Sequence, residues 1–255
     1  TKVNYDQFPQ SLIDATIAIE DDTFFSNPGF EAQATLRAFL QYVGLAEGDS
    51  GGSTITQQVV RNILFDYEYR TERSVQRKVE EILLAFLLRQ RQSPEQVLEL
   101  YLNEIYYGNL AYGAEAAAQT LFGKSVNELT LGESALLAGL PQAPGNLDPL
   151  SSDPTVQAAV DQRWRQVLDR MVAERFITAQ QRDQALREGL SFNPPEAPLR
   201  APHFTVYARQ ELEGLLRELQ VPENQIAAGG FRVYTTVDLT VNDMAQSAAR
   251  NQISA

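Results

Sequence analysis

The chain has 255 residues, 44% apolar and 21% charged, with a net charge of −12; this is enough apolar matter for a folded core and unlike the composition of a disordered chain. Three lysines (Lys2, Lys78, Lys124) and no basic tract exclude a nucleic-acid binder. The lack of cysteine and the single histidine, His203, exclude a thiol nucleophile, a Ser–His triad and a multi-histidine zinc site, so acid–base chemistry falls to carboxylates, with tyrosine and lysine behind them.

Residues 1–190 read as almost entirely helical. The first helix carries Leu12-Ile-Asp-Ala-Thr-Ile-Ala-Ile19 and ends on Glu20, followed by Asp21, Asp22, Phe24 and Phe25. A carboxylate between an apolar helix and two aromatics is partly desolvated, which raises its pKa toward a range useful for proton abstraction; the same residues also fit an exposed acidic turn. The flank Phe24, Phe25, Phe39 and Tyr42, with Leu36, Leu40 and Val43, fits a lipid-facing stripe or plain core. Four glycines within residues 44–52 predict a mobile loop.

Ser53-Thr54 opens a helix with Ile55, Val59 and Ile63 on one face and Thr54, Gln57, Gln58 and Arg61 on the other. The preceding glycines permit close approach of a ligand, and the helix start offers free N–H groups to an anion; an N-capped surface helix explains the pattern equally. Val75, Val79, Ile82, Leu83, Phe86 and Leu87 form an apolar stripe of helical period. On that helix Arg77 and Lys78 neighbour Glu81, and Ala85 one turn on leaves room for a ligand. Cations beside a carboxylate grip phosphate and keep the carboxylate ionised, or form a surface ion pair of about 0.3–0.5 kcal/mol.

Ser93-Pro94-Glu95-Gln96 reads as a capping box with proline at the first helical position, starting a helix through Val97, Leu98, Tyr101, Leu102 and Ile105. The run 101–113, rich in tyrosine, asparagine and glycine, suits a sugar cleft, or a glycine-capped helix end with tyrosines at the core edge. Thr130-Leu-Gly-Glu133 is a second capping box whose helix Pro141 closes. Asp153-Pro154 opens a helix through Trp164, Leu168 and Met171, and Thr178-Ala-Gln-Gln181 caps another. Four prolines within residues 193–202 mark a linker. A helix from about Thr205 to Leu219 follows, then a strand at Phe231-Arg-Val-Tyr-Thr-Thr-Val237. No apolar run approaches the ~20 residues a transmembrane helix needs, and Thr1 opens no signal peptide. The chain reads as a fragment whose membrane anchor lies outside it; a complete soluble protein is the competing reading.

Taken in order, five stretches resemble the motifs of the family 51 glycosyltransferases, the peptidoglycan-polymerising domains of class A, bifunctional penicillin-binding proteins. They are Glu20-Asp-Asp-Thr-Phe-Phe-Ser-Asn-Pro-Gly29, Gly52-Ser-Thr-Ile-Thr-Gln-Gln-Val-Val-Arg-Asn62, Arg77-Lys-Val-Glu-Glu81, the run from Tyr101 to Gly113, and Leu131-Gly-Glu-Ser-Ala-Leu-Leu-Ala-Gly-Leu-Pro-Gln-Ala-Pro144. The resemblance covers about residues 5 to 190. It implies that Glu20 deprotonates the C4 hydroxyl of lipid II and that Glu81 stabilises the diphosphate region or assists its departure. It further implies that Arg61, Arg77 and Lys78 surround that diphosphate and that Ser53, Thr54, Gln57, Gln58, Asn103 and Tyr106 face ligand. The implied reaction is an inverting transfer from undecaprenyl diphosphate that makes β-1,4-linked strands, inhibited by moenomycin and assisted by a divalent cation, magnesium or manganese. No metal ligands are visible in the sequence. The implied setting is the outer face of the bacterial cytoplasmic membrane, with a hydrophobic lobe on the bilayer and cell-wall synthesis proteins as further partners.

The implied fold is mainly α: a bilobal, lysozyme-like glycosyltransferase domain over residues 1–192, with a short α/β C-terminal linker segment over 193–255 leading toward a transpeptidase. The chain departs from the family pattern at Asn27, where histidine is common, at Glu31 for aspartate and at Arg61 for lysine; Asn27 cannot titrate. No Ser-x-x-Lys or Lys-Thr-Gly occurs, so no penicillin binding is expected. Two rivals remain: a lysozyme-type hydrolase, which needs a protected glutamate but not cations at 61, 77 and 78, and a non-catalytic lipid II-binding scaffold.

Overall fold

A computed structural model describes residues 2–32, 53–66, 69, 72, 74–109, 111–194, 201–221 and 233–242, with 244, 245 and 248. The expected loop at 44–52 and the flank residues Leu36, Phe39, Leu40, Tyr42 and Val43 lie outside them. The chain divides into two compact units, Thr1–Pro195 and Glu196–Ala255. The described residues are mainly helical.

In the first unit, α1 (Gln10–Glu20) buries Leu12, Ile13, Ala15, Ile17 and Ala18. α2 (Ile55–Leu64) and α3 (Val75–Arg91) follow, then α4 (Pro94–Glu104) and α5 (Ala114–Phe122). α6 (Leu131–Gly139) runs into a 3₁₀ turn, Leu140–Gln142, and α7 (Pro154–Ala173) and α8 (Ala179–Glu188) complete the unit. The expected caps form as read: the Ser93, Thr130 and Thr178 side chains each accept from the backbone three residues on, with Gln96, Glu133 and Gln181 reciprocating. Each cap fixes where its helix starts, and so which residues face inward.

Two packing groups share one core. α1 lies against α6 and α7, while α2 lies against α3 and α4. Leu12, Ile17, Leu136, Leu168 and Met171 belong to the same contiguous cluster as Ile55, Val59, Leu98 and Leu102. Trp164 anchors α7 on α6 by donating Nε1–H to the Gly132 carbonyl at 2.8 Å.

α3 is a helix as its period predicts, but its apolar stripe faces outward. Val79 is 57% and Leu83 55% exposed, with Val75, Phe86 and Leu87 also exposed, while Glu81 and Ala85 are the buried positions. Periodicity identifies the helix without saying which face meets the core. The space at Ala85 is filled by the chain rather than left for a ligand: a Cβ on Gly29, at φ +105°, would fall 2.6 Å from the Ala85 carbonyl oxygen.

In the second unit α9 (Pro202–Glu218) is a helix, and the described residues 239–242 are helical again. The strand expected at 231–237 is absent from its described part: residues 233–237 are unpaired, with Val233 and Tyr234 exposed. Among the described residues no neighbouring strand supplies the hydrogen bonds that a β-prone sequence needs to become a strand. No helix among the described residues is long and apolar enough to cross a membrane.

Candidate active site

Glu20 is the last residue of α1, at the edge of the core. Its side chain is 12% exposed. Oε2 accepts a 2.7 Å hydrogen bond from Gln58 Nε2, and Arg163 Nη2 lies 3.6 Å from Oε1. Burial pushes the Glu20 pKa up, against the Gln58 bond and the positive charges of Arg163 and Arg61. Of the two aromatics expected beside it, Phe24 is buried and Phe25 half exposed. The phenol rings of Tyr101 and Tyr107, both within electrostatic range of Glu20, are fully buried.

The turn after Glu20 is locked to α2 by polar side chains. Asp21 Oδ2 accepts from the Ile55 N–H at 3.1 Å, at the helix start where that donor has no intrahelical partner. Asp21 Oδ1 accepts from Asn27 Nδ2 at 2.9 Å and Thr23 Oγ1 at 3.2 Å. Asn27 Oδ1 accepts from Gly29 N–H at 2.9 Å, and Thr54 Oγ1 donates to the Gly29 carbonyl at 2.7 Å. Asn27 is thus a connector that needs one donor and one acceptor and no titration. Thr54 and Gln57 form the capping box of α2 and are buried; the structure uses both as scaffold.

Glu81 is fully buried on α3, and each of its oxygens meets one cation. Arg77 Nη1 is 2.6 Å from Oε2 and Lys78 Nζ 2.6 Å from Oε1. A buried carboxylate is tolerable only when paired in this way. Lys78 Nζ also donates to Ser53 Oγ at 2.9 Å. Burial lowers the Lys78 pKa, against the neighbouring Glu81 charge. The charge of Arg61 on α2 reaches both Glu20 and Lys78. Ser53 and Glu20 share the wall of a cavity of about 150 Å³ with Asp22, Glu31, Thr54 and Arg170.

Of the expected site residues, Glu20, Ser53, Gln58, Arg61, Arg77, Lys78 and Glu81 converge here. Asn103 does not join them: its amide accepts from Val3 N–H at 2.9 Å and donates to the Val3 and Glu99 carbonyls. It straps the N-terminal segment to α4. Tyr106 pairs with Tyr112 in an antiparallel bridge, with ring centroids 4.7 Å apart. Sequence reasoning missed Arg163, whose position on α7 carries no local signal, and did not give Asp21 a role of its own.

Two carboxylates, Glu20 and Glu81, are thus each held beside cations, and comparison with known proteins gives the family of the chain. The family model described as Transglycosylase matches residues 1–172, and the chain belongs to the transglycosylase family. It is 39% identical over 253 residues to penicillin-binding protein 1A of Escherichia coli K12, covering 98% of this chain and 28% of that protein. It is 41% identical over 250 residues to penicillin-binding protein 1A of Neisseria flavescens, covering 96% and 29%. A crystal structure of penicillin-binding protein 1A from Haemophilus influenzae aligns at 29% identity with a TM-score of 0.47, covering 86% of this chain and 21% of that one. The chain therefore spans less than a third of the length of these relatives.

Proposed function

We propose that this chain polymerises peptidoglycan glycan strands from lipid II. Glu20 takes the proton of the acceptor's C4 hydroxyl, the freed oxygen attacks the donor's anomeric carbon from the opposite face, and the bond from that carbon to the diphosphate breaks. Arg61, Arg77 and Lys78 neutralise the departing diphosphate, while buried Glu81 fixes Arg77 and Lys78. The observation that carries this reading is the desolvated, Gln58-held Glu20 at the wall of a cavity it shares with Ser53, which the Lys78–Glu81 pair anchors. A hydrolase would need the first carboxylate without the cations.

The exposed apolar face of α3, with Phe25, Ile63 and Leu64, supports contact with the bilayer in which a polyprenyl tail stays. The setting proposed is the outer face of the bacterial cytoplasmic membrane. The described residues do not fit a resident divalent ion: no three acidic or histidine side chains are placed to hold one, Asp21 already accepts three hydrogen bonds, and Glu81 is taken by two cations.

The test is incubation with labelled lipid II in detergent, with and without moenomycin and magnesium. Long, moenomycin-sensitive glycan chains are expected. Binding of lipid II without polymer counts against the transferase and for a scaffold; reducing ends released from finished cell wall count for a hydrolase.

A further inference from the structure

Tyr101 is an apolar-face residue of α4, 2% exposed, and its hydroxyl is buried with no hydrogen-bond partner among the described residues. A buried phenol oxygen left unpaired is costly, and a phenylalanine would fill the same volume without that cost. The surroundings give the oxygen a reason to be there. The charges that reach it are those of Glu20 from α1, Arg61 from α2 and Arg163 from α7, with Tyr107 beside it. This buried, unpaired hydroxyl is therefore within electrostatic reach of charges from three helices, that of Glu20 among them. One turn before Glu20 on α1, the Thr16 hydroxyl is likewise buried and without a partner among the described residues.

We propose that Tyr101 is a positioning residue for Glu20: its hydroxyl donates to the ionised carboxylate through one bridging water and holds it in place for proton abstraction. Gln58 binds Oε2 from the α2 side and Arg163 faces Oε1 from α7, so a donor from α4 completes the enclosure from a third direction. The carboxylate is then held from α2, α7 and α4 at once, and its reach toward the acceptor hydroxyl is fixed. This inference rests on Glu20 being the base of the proposed polymerisation.

The test substitutes Tyr101→Phe, which removes the oxygen and keeps the ring. Protonation of Glu20 is followed by infrared titration of its carboxyl band, assigned by difference against Glu20→Gln. The groups that also act on this carboxylate are Gln58, Arg163 and Arg61, all left in place. Loss of a donor to the ionised form raises the Glu20 midpoint. In the polymerisation assay, kcat falls about three- to tenfold, its acid limb moves to higher pH, and KM for lipid II is unchanged. Replacing Tyr101 by 3-fluorotyrosine, a stronger donor, moves the midpoint and limb the other way. An unmoved infrared midpoint overturns the proposal, as does a fall in kcat with an unmoved acid limb, which marks a packing role. The infrared reading needs no turnover, so a wild-type chain that makes no polymer would refute the transferase reading while this one is still decided.

Discussion

Gln58 donates a 2.7 Å hydrogen bond to Glu20 across 38 positions of chain, so the carboxylate at the end of α1 is aimed by α2. The same two elements are registered by Asp21 on the Ile55 N–H. Glu20→Gln keeps this frame and removes the proton acceptor. Polymerisation should fall by at least about 10²–10⁴-fold, read on gels of lipid II products, with moenomycin binding retained by fluorescence polarisation. Wild-type turnover by this variant would remove Glu20 as the base.

Glu81 pairs with two cations from a fully buried position. Glu81→Ala should destabilise toward the low end of about 3–5 kcal/mol, since Arg77 and Lys78 retain some solvent, and urea unfolding measures it. Glu81→Gln, which keeps the shape, should polymerise slowly but measurably. Unchanged kinetics would take Glu81 out of the site.

The raised Glu20 pKa sets a pH dependence. The ionised form is the base, so turnover should fall as pH drops through a midpoint above the ordinary carboxylate value. Removing the Gln58 donor in Gln58→Ala should move that limb higher still. The stability sign is the reverse: a carboxyl whose folded pKa lies above its unfolded one favours folding at low pH, and that advantage is lost as pH rises through the folded value. Glu20→Gln should therefore gain about 0.5–2 kcal/mol near neutral pH and little at about pH 4. Thermal melts at the two pH values decide it.

The outward stripe of α3 predicts a separation of stability from membrane affinity. Val79→Ser with Leu83→Ser removes apolar surface that touches solvent and should change folding stability by no more than about 0.5 kcal/mol per site. Cosedimentation with phosphatidylcholine vesicles should fall clearly. Retained binding with lost stability would mean the stripe is core covered by another part of the chain.

Gly29 sits at φ +105° against the Ala85 carbonyl. Gly29→Ala should cost about 1–3 kcal/mol and reduce polymerisation, because the displaced turn carries the Asp21 and Asn27 bonds that hold α1 to α2.

Much of this was legible in order along the chain. Capping boxes at Ser93, Thr130 and Thr178 mark helix starts because their chemistry is local and reciprocal. Glu20 and the Arg77–Lys78–Glu81 group are legible because neighbouring positions on one helix must be neighbours in space. What sequence could not show depends on other elements. Arg163 reaches Glu20 from 143 positions away, Asn103 spends its amide on Val3 rather than on a ligand, and the α3 stripe turns outward because buried Glu81 and Ala85 claim the opposite face.

The early end of α6 has a consequence for how this chain can vary. In a continuing α-helix the N–H of Ala143 would come to the Gly139 carbonyl; here it goes to Leu140 at 3.2 Å, and Arg163 Nε donates to Gly139 at 3.1 Å. The guanidinium that faces Glu20 is thus gripped by main chain, whose position is set by residue count and not by side-chain identity. One residue inserted or deleted within 131–139 would rotate that carbonyl by about 100° about the helix axis and swing the guanidinium off target. Substitutions in this stretch can accumulate where volumes match, but its length is not free to drift.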